Sequence, residues 1–461
     1  MLGNYKRIHF IGIGGTGMSG IARIARELGY DVSGSDLKPS EVINRLKKLG
    51  ATVFLGHNAE NVKGADLVVV SSAIPQDNPE YLQALKEKIP IIHRADVLSL
   101  LMAGKKGIAV TGAHGKTTTT SMISLVLEKS GLEPTVVIGG ELNDIGGNAT
   151  LGKGEYLVAE ADESDGSFLK LKPYIAVVTN IENDHMDYYK DMDTMKEAYK
   201  TFVNGIKKDG FALLGTDNEN VRDILESLDV TYFTYGIDYP ADYMPKNIRI
   251  NGASSTFEVH YRKEPLVELE LNVPGMHNIY NATAAVAVAH RLGLKMEDVA
   301  KALKVFRGAK RRFQLMGEVN GIKVIDDYAH HPTEIKATLK AAKLQNPRRI
   351  YAIFQPHRYT RTKILAEEFG LAFDDADEVV VTNIYSAGER PIEGVSSLLI
   401  VDALKDRGKK VTYIHDKDEI PDFIIQKVSP GDYVLTIGAG DIYQVAYEIV
   451  KKLKTKDVRP G

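Results

Sequence analysis

The chain has 461 residues, 44% of them hydrophobic and 26% charged, a balance typical of a folded globular protein. Lysine and arginine total 58 against 61 aspartates and glutamates, so the net charge of -3 offers no general positive field, and we expect no nucleic acid partner. The lack of cysteine excludes disulfides, thiolate metal sites and thiol catalysis. No segment approaches the roughly 18 apolar residues of a membrane span, so we expect no membrane insertion and a cytoplasmic location.

The first block of the chain, residues 1–104, alternates strand-like and helix-like segments. The β-branched runs at residues 8–13 and 67–70 are typical of buried strands, and residues 20–28 carry a helical pattern. Glycine and proline separate these segments. The alternation predicts a parallel sheet built from β-α-β units.

A glycine-rich loop follows the first predicted strand and precedes the first predicted helix. Asp36 lies about 20 residues further on, at the end of the next strand. Backbone amides at a helix N-terminus bind diphosphates, and an aspartate in this position binds a ribose or a base edge. The loop therefore predicts a diphosphate site of the dinucleotide type, and tight glycine packing without a ligand is the alternative. Its residues are Gly12, Ile13, Gly14, Gly15, Thr16 and Gly17.

The second block, residues 105–309, opens with a strand-like run and a second glycine loop. This loop is a P-loop with one residue fewer than usual between its glycines, and a helical pattern follows at residues 119–129. In a P-loop the amides bind the phosphates of a nucleoside triphosphate, while Lys116 would reach the β and γ phosphates and Thr117 would coordinate Mg²⁺. His114 either contacts substrate or packs within the loop. The loop residues are Gly112, Ala113, His114, Gly115, Lys116, Thr117 and Thr118.

Acidic residues follow the next predicted strand, residues 156–159. Such a cluster either binds a cation or spreads into water, and beside a P-loop it would supply the carboxylates that Mg²⁺ prefers. After the next strand, residues 175–179, comes His185, whose neutral imidazole is a candidate ligand for a second divalent ion; a structural histidine is the alternative. Ligands of open α/β sheets collect at such strand ends, which favours metal binding. The acidic residues are Glu160, Asp162, Glu163 and Asp165.

Residues 230–273 depart from the alternation of strands and helices. Within them, residues 248–250 and 257–261 alternate apolar and polar side chains, which predicts antiparallel strands inserted at the edge of the second domain. The third block, residues 310–461, begins after Ala309 and is again of the α/β type. Its strand-like runs are residues 322–325, 350–354, 378–381 and 433–437.

Short motifs run in order along the chain from residue 9 to residue 442. They are His9-Phe-Ile-Gly-Ile-Gly-Gly-Thr-Gly-Met-Ser-Gly-Ile-Ala22, Ser71-Ser-Ala-Ile-Pro75, Gly112-Ala-His-Gly-Lys-Thr-Thr-Thr119, Glu160-Ala-Asp-Glu-Ser-Asp165, Asn180-Ile-Glu-Asn-Asp-His-Met-Asp187, Pro274-Gly-Met-His-Asn-Ile-Tyr-Asn-Ala282, Arg311-Arg-Phe313, Asp326-Asp-Tyr-Ala-His-His-Pro332, Gln355-Pro-His-Arg-Tyr-Thr-Arg361 and Gly438-Ala-Gly-Asp-Ile442. Together they resemble the motifs of the Mur ligase family. The first loop and the acidic cluster resemble its alanine-adding branch.

The resemblance implies three α/β domains: an N-terminal Rossmann-like domain for a UDP-sugar, a central P-loop ATPase domain with a small β insertion, and a C-terminal Rossmann-like domain for an amino acid. The implied reaction joins L-alanine to the carboxylate of UDP-N-acetylmuramate through an acyl phosphate, in peptidoglycan precursor synthesis. ATP is the implied energy source, with two Mg²⁺ ions as cofactors. The sequence leaves open whether the protein is a monomer or a homodimer, and whether Lys200 is modified.

The resemblance also implies roles for individual residues. Thr117 and Glu160 would hold one Mg²⁺, and His185 would help to hold the second. The residues implied to contact ATP or its metal are Gly112, His114, Gly115, Lys116, Thr117, Thr118, Glu160, His185, Asn278, Asn281, Arg312 and Asp327. Those implied to contact the UDP-sugar or alanine are Gly14, Gly15, Thr16, Gly17, Asp36, Ser71, Ser72, Asp162, Glu163, Tyr328, His330, His357, Arg358 and Arg361. The implied catalytic residues are Lys116, Glu160, His185, Arg312 and His330, with His330 as a candidate base.

Two other classes of protein explain fewer of these features. A nicotinamide oxidoreductase would use the first glycine loop but neither the P-loop nor the acidic cluster. A nucleotide-dependent switch would use the P-loop but has no need of a separate diphosphate domain. Within the family, the nearest alternative is the recycling ligase that adds a preformed tripeptide.

Overall fold

The structure of the chain, a computed structural model, describes residues 5–142 and 147–456. By its internal packing the chain divides into two compact units. Unit 1 takes the described residues within Met1–Ile248, Thr256–Glu270 and Tyr280–Arg307, and unit 2 those within Arg249–Ser255, Leu271–Ile279 and Gly308–Gly461. The boundary expected near residue 104 falls inside unit 1, and the one near residue 309 falls where the last segment of unit 2 begins. Both domain boundaries stay predictions.

The N-terminal part of unit 1 is a five-stranded parallel sheet with helices between its strands. The elements are β1 (Arg7–Ile11), α1 (Thr16–Glu27), β2 (Asp31–Asp36), α2 (Glu41–Lys48), β3 (Thr52–Leu55), β4 (Leu67–Val70), α3 (Pro79–Lys86), β5 (Ile91–His93) and α4 (Arg94–Ala103). The strand order β3-β2-β1-β4-β5 is that of a Rossmann-like sheet, as expected. Strand β1 ends two residues before its predicted end, because Gly12 turns the chain with a φ of +75°.

The second sheet has ten strands in the order β15-β14-β13-β12-β11-β10-β6-β9-β7-β8. The elements are β6 (Lys106–Thr111), α5 (Lys116–Lys129), β7 (Thr135–Leu142), β8 (Gly147–Thr150), β9 (Tyr156–Glu160), β10 (Ile175–Val178), α6 (Met186–Tyr189), α7 (Met192–Asn204), β11 (Phe211–Gly215), α8 (Glu219–Leu225), β12 (Tyr232–Tyr235), β13 (Tyr243–Asn251), β14 (Ser254–Tyr261), β15 (Glu264–Leu271), α9 (Met276–Arg291) and α10 (Met296–Lys304). Strands β9, β6, β10 and β11 are parallel neighbours. The predicted β insertion is confirmed, since β13 to β15 form one edge of this sheet.

The third sheet lies in unit 2 and has the order β16-β17-β21-β18-β19-β20. The elements are β16 (Gln314–Val319), β17 (Ile322–Asp327), α11 (Pro332–Lys343), β18 (Ile350–Phe354), α12 (Tyr359–Ile364), α13 (Ala366–Gly370), β19 (Glu378–Val381), α14 (Leu398–Asp406), β20 (Val411–Tyr413), α15 (Ile420–Ile425), β21 (Tyr433–Ile437) and α16 (Tyr443–Lys456). Strand β16 pairs antiparallel with β17, and the other pairings are parallel. The α/β prediction for this block is confirmed.

Burial explains why the strands are continuous apolar runs. In β17, Val324 and Ile325 belong to different hydrophobic clusters, because successive side chains of a strand point to opposite faces and both faces of this sheet are covered. In unit 1 a single cluster includes Phe10 of the first sheet and Val178 of the second. The two blocks of unit 1 therefore share a hydrophobic core. Within the described ranges, no helix has the length and apolar character that a membrane span needs.

Candidate active site

The P-loop connects β6 to α5 and is held by the chain that follows β10. The His114 amide donates to the Asn180 side-chain oxygen at 2.9 Å, and the Thr179 hydroxyl donates to the His114 carbonyl at 2.6 Å. Only glycine fits at Gly112, because a Cβ atom there would lie 2.1 Å from the Thr179 hydroxyl oxygen. Helix α5 begins after Gly115 without a side-chain cap, so no side chain occupies its first amides. This arrangement suits a bound phosphate.

Lys116 is the first residue of α5 and forms an ion pair with a buried carboxylate. Its Nζ lies 2.6 Å from Glu163 Oε1, and the Glu163 side chain is 2% exposed. Burial alone would lower the pKa of Lys116, but the negative charges of Glu163, Asp162 and Glu160 raise that pKa above its usual value. The lysine is therefore held in its charged form, which is the form that attracts phosphate oxygens.

Glu160 and Thr117, the two residues assigned to one Mg²⁺, both pack against adjacent glycines of β7. A Cβ atom at Gly139 would lie 2.7 Å from Glu160 Oε2, and one at Gly140 would lie 3.1 Å from the Thr117 methyl carbon. The bare backbone thus lets the Glu160 carboxylate and the Thr117 side chain lie close against β7. A carboxylate and a hydroxyl are oxygen ligands of the kind that Mg²⁺ takes. The residues fit the ion, and the assignment of these two ligands stays a prediction.

Adding a methyl group at Gly139 tests the position of the Glu160 carboxylate. Because the new Cβ would lie 2.7 Å from Glu160 Oε2, we expect Gly139→Ala to displace the carboxylate and to lower kcat about tenfold, with a higher Mg²⁺ requirement. Gly104→Ala is the matched control, since the nearest atom to a Cβ there is 4.0 Å away. Steady-state kinetics over a Mg²⁺ titration gives both values. Equal effects of the two variants would contradict the assignment.

His185 precedes the short helix α6 and has a left-handed backbone with a φ of +58°. Its Nε2 lies 3.5 Å from Asp184 Oδ2, and its side chain is partly exposed. Another histidine, His114 of the P-loop, contacts Glu182 at 3.1 Å. A left-handed conformation is uncommon outside glycine and is concentrated at functional sites. This backbone is compatible with the metal role predicted for His185, which stays a prediction.

The two asparagines assigned to adenine are both buried. Asn281 Oδ1 accepts a hydrogen bond from the Thr119 hydroxyl at 3.1 Å, and a Cβ atom at Gly115 would lie 2.8 Å from the same oxygen. Asn281 therefore packs directly beneath the P-loop. Asn278 donates through Nδ2 to the Pro274 carbonyl at 2.7 Å. Thr118 is buried in the first turn of α5. Contact of the asparagines with adenine stays a prediction.

The first glycine loop is closed by Asp36, at the end of β2. Asp36 Oδ2 accepts the Gly14 amide at 2.9 Å, and the Gly12 and Ile13 amides both donate to the Ser35 carbonyl. Helix α1 follows Gly15 and has neither a side-chain cap nor an acidic residue in its first turn. A helix start of this kind suits a diphosphate. The predicted loop thus follows β1 and leads into the first turn of α1; its residues are Gly14, Gly15, Thr16 and Gly17.

Ser71 and Ser72 follow β4, and Asp162 and Glu163 follow β9. The Ser72 hydroxyl contacts His93 Nε2 at 3.0 Å and also forms a short hydrogen bond to the Asp165 carboxylate. Within unit 1, residues predicted for the UDP-sugar are therefore in contact with the acidic segment beside the P-loop.

Unit 2 gathers several predicted site residues after β17. The ring centroids of Tyr328 and His330 are 5.5 Å apart, and those of His330 and His357 are 5.7 Å apart. His330 Nδ1 lies 3.0 Å from the Tyr328 carbonyl, so Nδ1–H donates in the neutral ring and Nε2 is the basic nitrogen. Arg312 Nη1 lies 3.3 Å from Glu334 Oε1, and Oε2 of the same carboxylate is 3.3 Å from His330 Nδ1. The predicted cluster of Tyr328, His330 and His357 is thus present.

Asp327 is buried at the end of β17, where it accepts the Phe313 amide at 2.7 Å and the Ala329 amide at 2.8 Å. Burial raises the pKa of this carboxyl from 3.8 to about 6, although the charge of Arg312 and the two amides act in the opposite direction. In this structure Asp327 therefore joins the residue before β16 to the chain that follows β17. Its role in ATP binding stays a prediction.

The raised pKa of Asp327 predicts a pH dependence of stability. Between about pH 4 and pH 6 the folded protein binds a proton that the unfolded chain does not, so this group lowers the free energy of unfolding as the pH rises through that window. The decrease is at most about 3 kcal/mol. Asp327→Asn should remove this part of the pH dependence, whereas the exposed Asp402→Asn should keep it. Urea unfolding across this pH range measures both, and parallel curves for wild type and Asp327→Asn would contradict the prediction.

Arg358 and Arg361 lie at the start of the short helix α12, which follows β18. Arg358 precedes α12 with a φ of +75°, and its amide donates to the Tyr385 carbonyl at 2.9 Å. Arg361 lies within α12, three residues further along the chain. The pair has the spacing of a carboxylate clamp, and its role stays a prediction.

Three residues that contact the predicted site were missed in the sequence. Glu334 contacts both Arg312 and His330. Its signal in the sequence is a capping box: it is the third residue of α11 and pairs with His331, the residue before the helix. Asn180 holds the P-loop. Arg94 forms an ion pair with Asp162, and no local pattern marks it, because its partner is 68 residues away.

Comparisons with known proteins agree with this geometry. Family models match three successive parts of the chain: the Mur ligase family catalytic domain at residues 7–106, the Mur ligase middle domain at 110–289 and the Mur ligase glutamate ligase domain at 311–440. A UDP-N-acetylmuramate–L-alanine ligase of Pelotomaculum thermopropionicum is 57% identical and covers 97% of this chain and 98% of its own length. The enzyme of the same name from Geotalea daltonii is 52% identical, over 98% and 99%.

Solved structures show the same similarity. The UDP-N-acetylmuramate–alanine ligase of Thermotoga maritima has a TM-score of 0.84 at 34% identity, covering 98% of this chain and 99% of its own. A murein peptide ligase of Psychrobacter arcticus has a TM-score of 0.73 at 27% identity, over 97% and 98%. The three-domain α/β fold expected from the sequence is confirmed by the Thermotoga structure. The matching models and the near full-length relatives show that this chain belongs to the Mur ligase family.

Proposed function

We propose that this protein joins L-alanine to the carboxylate of UDP-N-acetylmuramate and converts ATP to ADP and phosphate. The observation that carries the proposal is the 57% identity, over 97% of this chain, to a UDP-N-acetylmuramate–L-alanine ligase. The product is a peptidoglycan precursor. ATP and a UDP-sugar are intracellular metabolites, so we place the reaction in the cytoplasm.

The ATP site follows from the P-loop and the acidic segment. We assign the amides at the start of α5, where the P-loop ends, to the phosphates and the charged Lys116 to the β and γ phosphate oxygens. Thr117 and Glu160 would hold one Mg²⁺, and His185 would help to hold a second. When bound, Mg²⁺ supplies positive charge that offsets the negative charge of the phosphate oxygens during phosphoryl transfer. Lys116 would leave Glu163, its partner at 2.6 Å, when the phosphates arrive.

The chemistry needs an activated carboxylate, because an amide does not form from a carboxylate and an amine in water without an energy source. The muramyl carboxylate oxygen attacks the γ phosphorus in line, the bond to the β–γ bridging oxygen breaks, and ADP leaves. The alanine amine then attacks the acyl phosphate carbon, and inorganic phosphate leaves. We assign Arg312 the role of stabilising the negative charge that develops on the phosphate, and we assign Asp327 to binding of ATP.

The amine must lose a proton before or during its attack. His330 is the candidate base, since its Nδ1 faces the Tyr328 carbonyl at 3.0 Å and Nε2 can therefore accept a proton. Arg358 and Arg361 would bind the alanine carboxylate, with Tyr328 and His357 beside it. For the UDP-sugar we assign the loop from Gly14 to Gly17, with Asp36, Ser71, Ser72, Asp162 and Glu163.

One assay tests the proposal. ADP release is measured with UDP-N-acetylmuramate alone, with added L-alanine, and with added tripeptide. We expect release to depend on L-alanine and not on the tripeptide. Release that depends on the tripeptide would instead identify a recycling ligase, and release without any amino acid would identify a nucleotide hydrolase.

A further inference from the structure

The two glycine loops of unit 1 are linked through one arginine. Arg94 is the first residue of α4, and its Nη2 donates to Asp162 Oδ2 at 2.6 Å. The other guanidinium nitrogen, Nη1, lies against the first turn of α1, because a Cβ atom at Gly17 would be only 3.0 Å from it. Gly17 is therefore the position where a missing side chain lets the guanidinium approach the diphosphate loop. The planar guanidinium can contact two partners at once.

On the ATP side, Asp162 is part of the charge cluster around the P-loop lysine. The Asp162 carboxylate lies close to the positive charges of both Arg94 and Lys116. The carboxylate also accepts the Ser164 amide at 3.1 Å. Arg94 thus holds a segment in which the next residue, Glu163, forms the ion pair with Lys116.

Helix α1 has a second link to the ATP-binding sheet. Asn148, in β8, donates through Nδ2 to the Thr16 carbonyl at 2.5 Å and to the Ser19 hydroxyl at 2.8 Å. Asn148 therefore fixes the start of α1 to this sheet, independently of Arg94.

We propose that Arg94 is a positioning residue that couples the two nucleotide sites. One end of its guanidinium holds Asp162 beside the P-loop, and the other end contacts the diphosphate of the UDP-sugar at the first turn of α1. A bound UDP-sugar then orders Arg94, which keeps Asp162 and Glu163 in place for ATP. The inference rests on the proposed function, because it takes the ligand of the first loop to be a UDP-sugar.

Coupling of this kind is reciprocal and can be measured as a ratio of affinities. Isothermal titration would give the dissociation constant of a non-hydrolysable ATP analogue with Mg²⁺, first without and then with saturating UDP-N-acetylmuramate. We expect about tenfold tighter binding of the analogue to wild type when the UDP-sugar is present. Arg94→Gln and Asp162→Asn should each reduce this ratio to about two, and the double variant should reduce it no further.

Two further variants separate coupling from simple structural support. Arg94→Lys keeps the positive charge but lacks the planar guanidinium that can contact two partners. Its ratio of affinities should therefore lie between those of Arg94→Gln and wild type. Lys170→Met is the matched control, because the ion pair of Lys170 with Asp96, at 2.7 Å, also joins α4 to the ATP-binding part of unit 1 but contacts neither loop. It should keep the wild-type ratio, and all variants should keep the wild-type melting temperature within a few degrees.

The outcomes distinguish this inference from the proposed function. A wild-type enzyme that makes the product but shows no coupling, or an Arg94→Gln variant that keeps the tenfold ratio, would overturn the role of Arg94 alone. A wild-type protein that does not bind UDP-N-acetylmuramate would overturn the proposed function and this inference together. Loss of the ratio in Arg94→Gln and Asp162→Asn, with Lys170→Met unchanged, supports the coupling.

Discussion

Replacing Glu160 with alanine is expected to lower the rate of ligation by about three orders of magnitude, which corresponds to about 4 kcal/mol of transition-state stabilisation. Glu160 ends β9 and lies against Gly139, and we assign its carboxylate to Mg²⁺. Without its carboxylate, the charge on the transferring phosphate would be poorly compensated. Coupled detection of ADP at saturating substrates gives the rate.

The same variant should still bind the UDP-sugar. The first glycine loop is closed by Asp36 and the Gly14 amide, and Glu160 contributes to neither. Glu155→Ala is the matched control, since this residue immediately precedes β9 and pairs with Lys106 at 3.0 Å on the surface, away from the P-loop. Titration with UDP-N-acetylmuramate should give similar affinities for wild type and both variants. A folded Glu160→Ala protein that loses UDP-sugar binding as completely as ligation would show that Glu160 is not a metal ligand.

Much of the fold could be predicted because the strands are buried on both faces. Residues 350–354, 378–381 and 433–437 were predicted from continuous apolar runs, and β18, β19 and β21 have these same bounds. The first residues of helices were harder to predict from the sequence. Helix α5 begins at Lys116, three residues before the helical pattern, because a P-loop places its lysine and threonines on the first turn, where polar residues mask the pattern.

The site was predictable where a short motif carries its own geometry. The P-loop and the Gly12–Gly17 loop need only local backbone, and both lie as expected between a strand and a helix. Contacts between distant segments could not be predicted. The pair of Arg94 with Asp162, and the role of Glu334 between Arg312 and His330, depend on which strand ends meet in the folded chain. Periodicity carries no information about such pairs.

The second large effect is expected at Arg358. Its guanidinium is assigned to the carboxylate of L-alanine, and loss of one charge-assisted hydrogen bond costs about 1.5 to 3 kcal/mol, or about 10- to 150-fold in affinity. Arg358→Ala should therefore raise the KM for L-alanine by that factor, while the KM values for ATP and UDP-N-acetylmuramate change little. Arg407→Ala, at an exposed position after α14, is the control and should leave all three unchanged.

The backbone of Arg358 makes a second variant informative. Its φ of +75° is a conformation that side chains other than glycine rarely adopt, so the folded chain holds this residue in place at some cost. Arg358→Gly removes the guanidinium and also that strain. We expect it to be at least as stable as wild type in thermal unfolding and yet to show the same increase in the KM for L-alanine as Arg358→Ala. A rise in the KM for ATP with an unchanged KM for L-alanine would instead mean that Arg358 binds phosphate, because the guanidinium fork fits both kinds of anion.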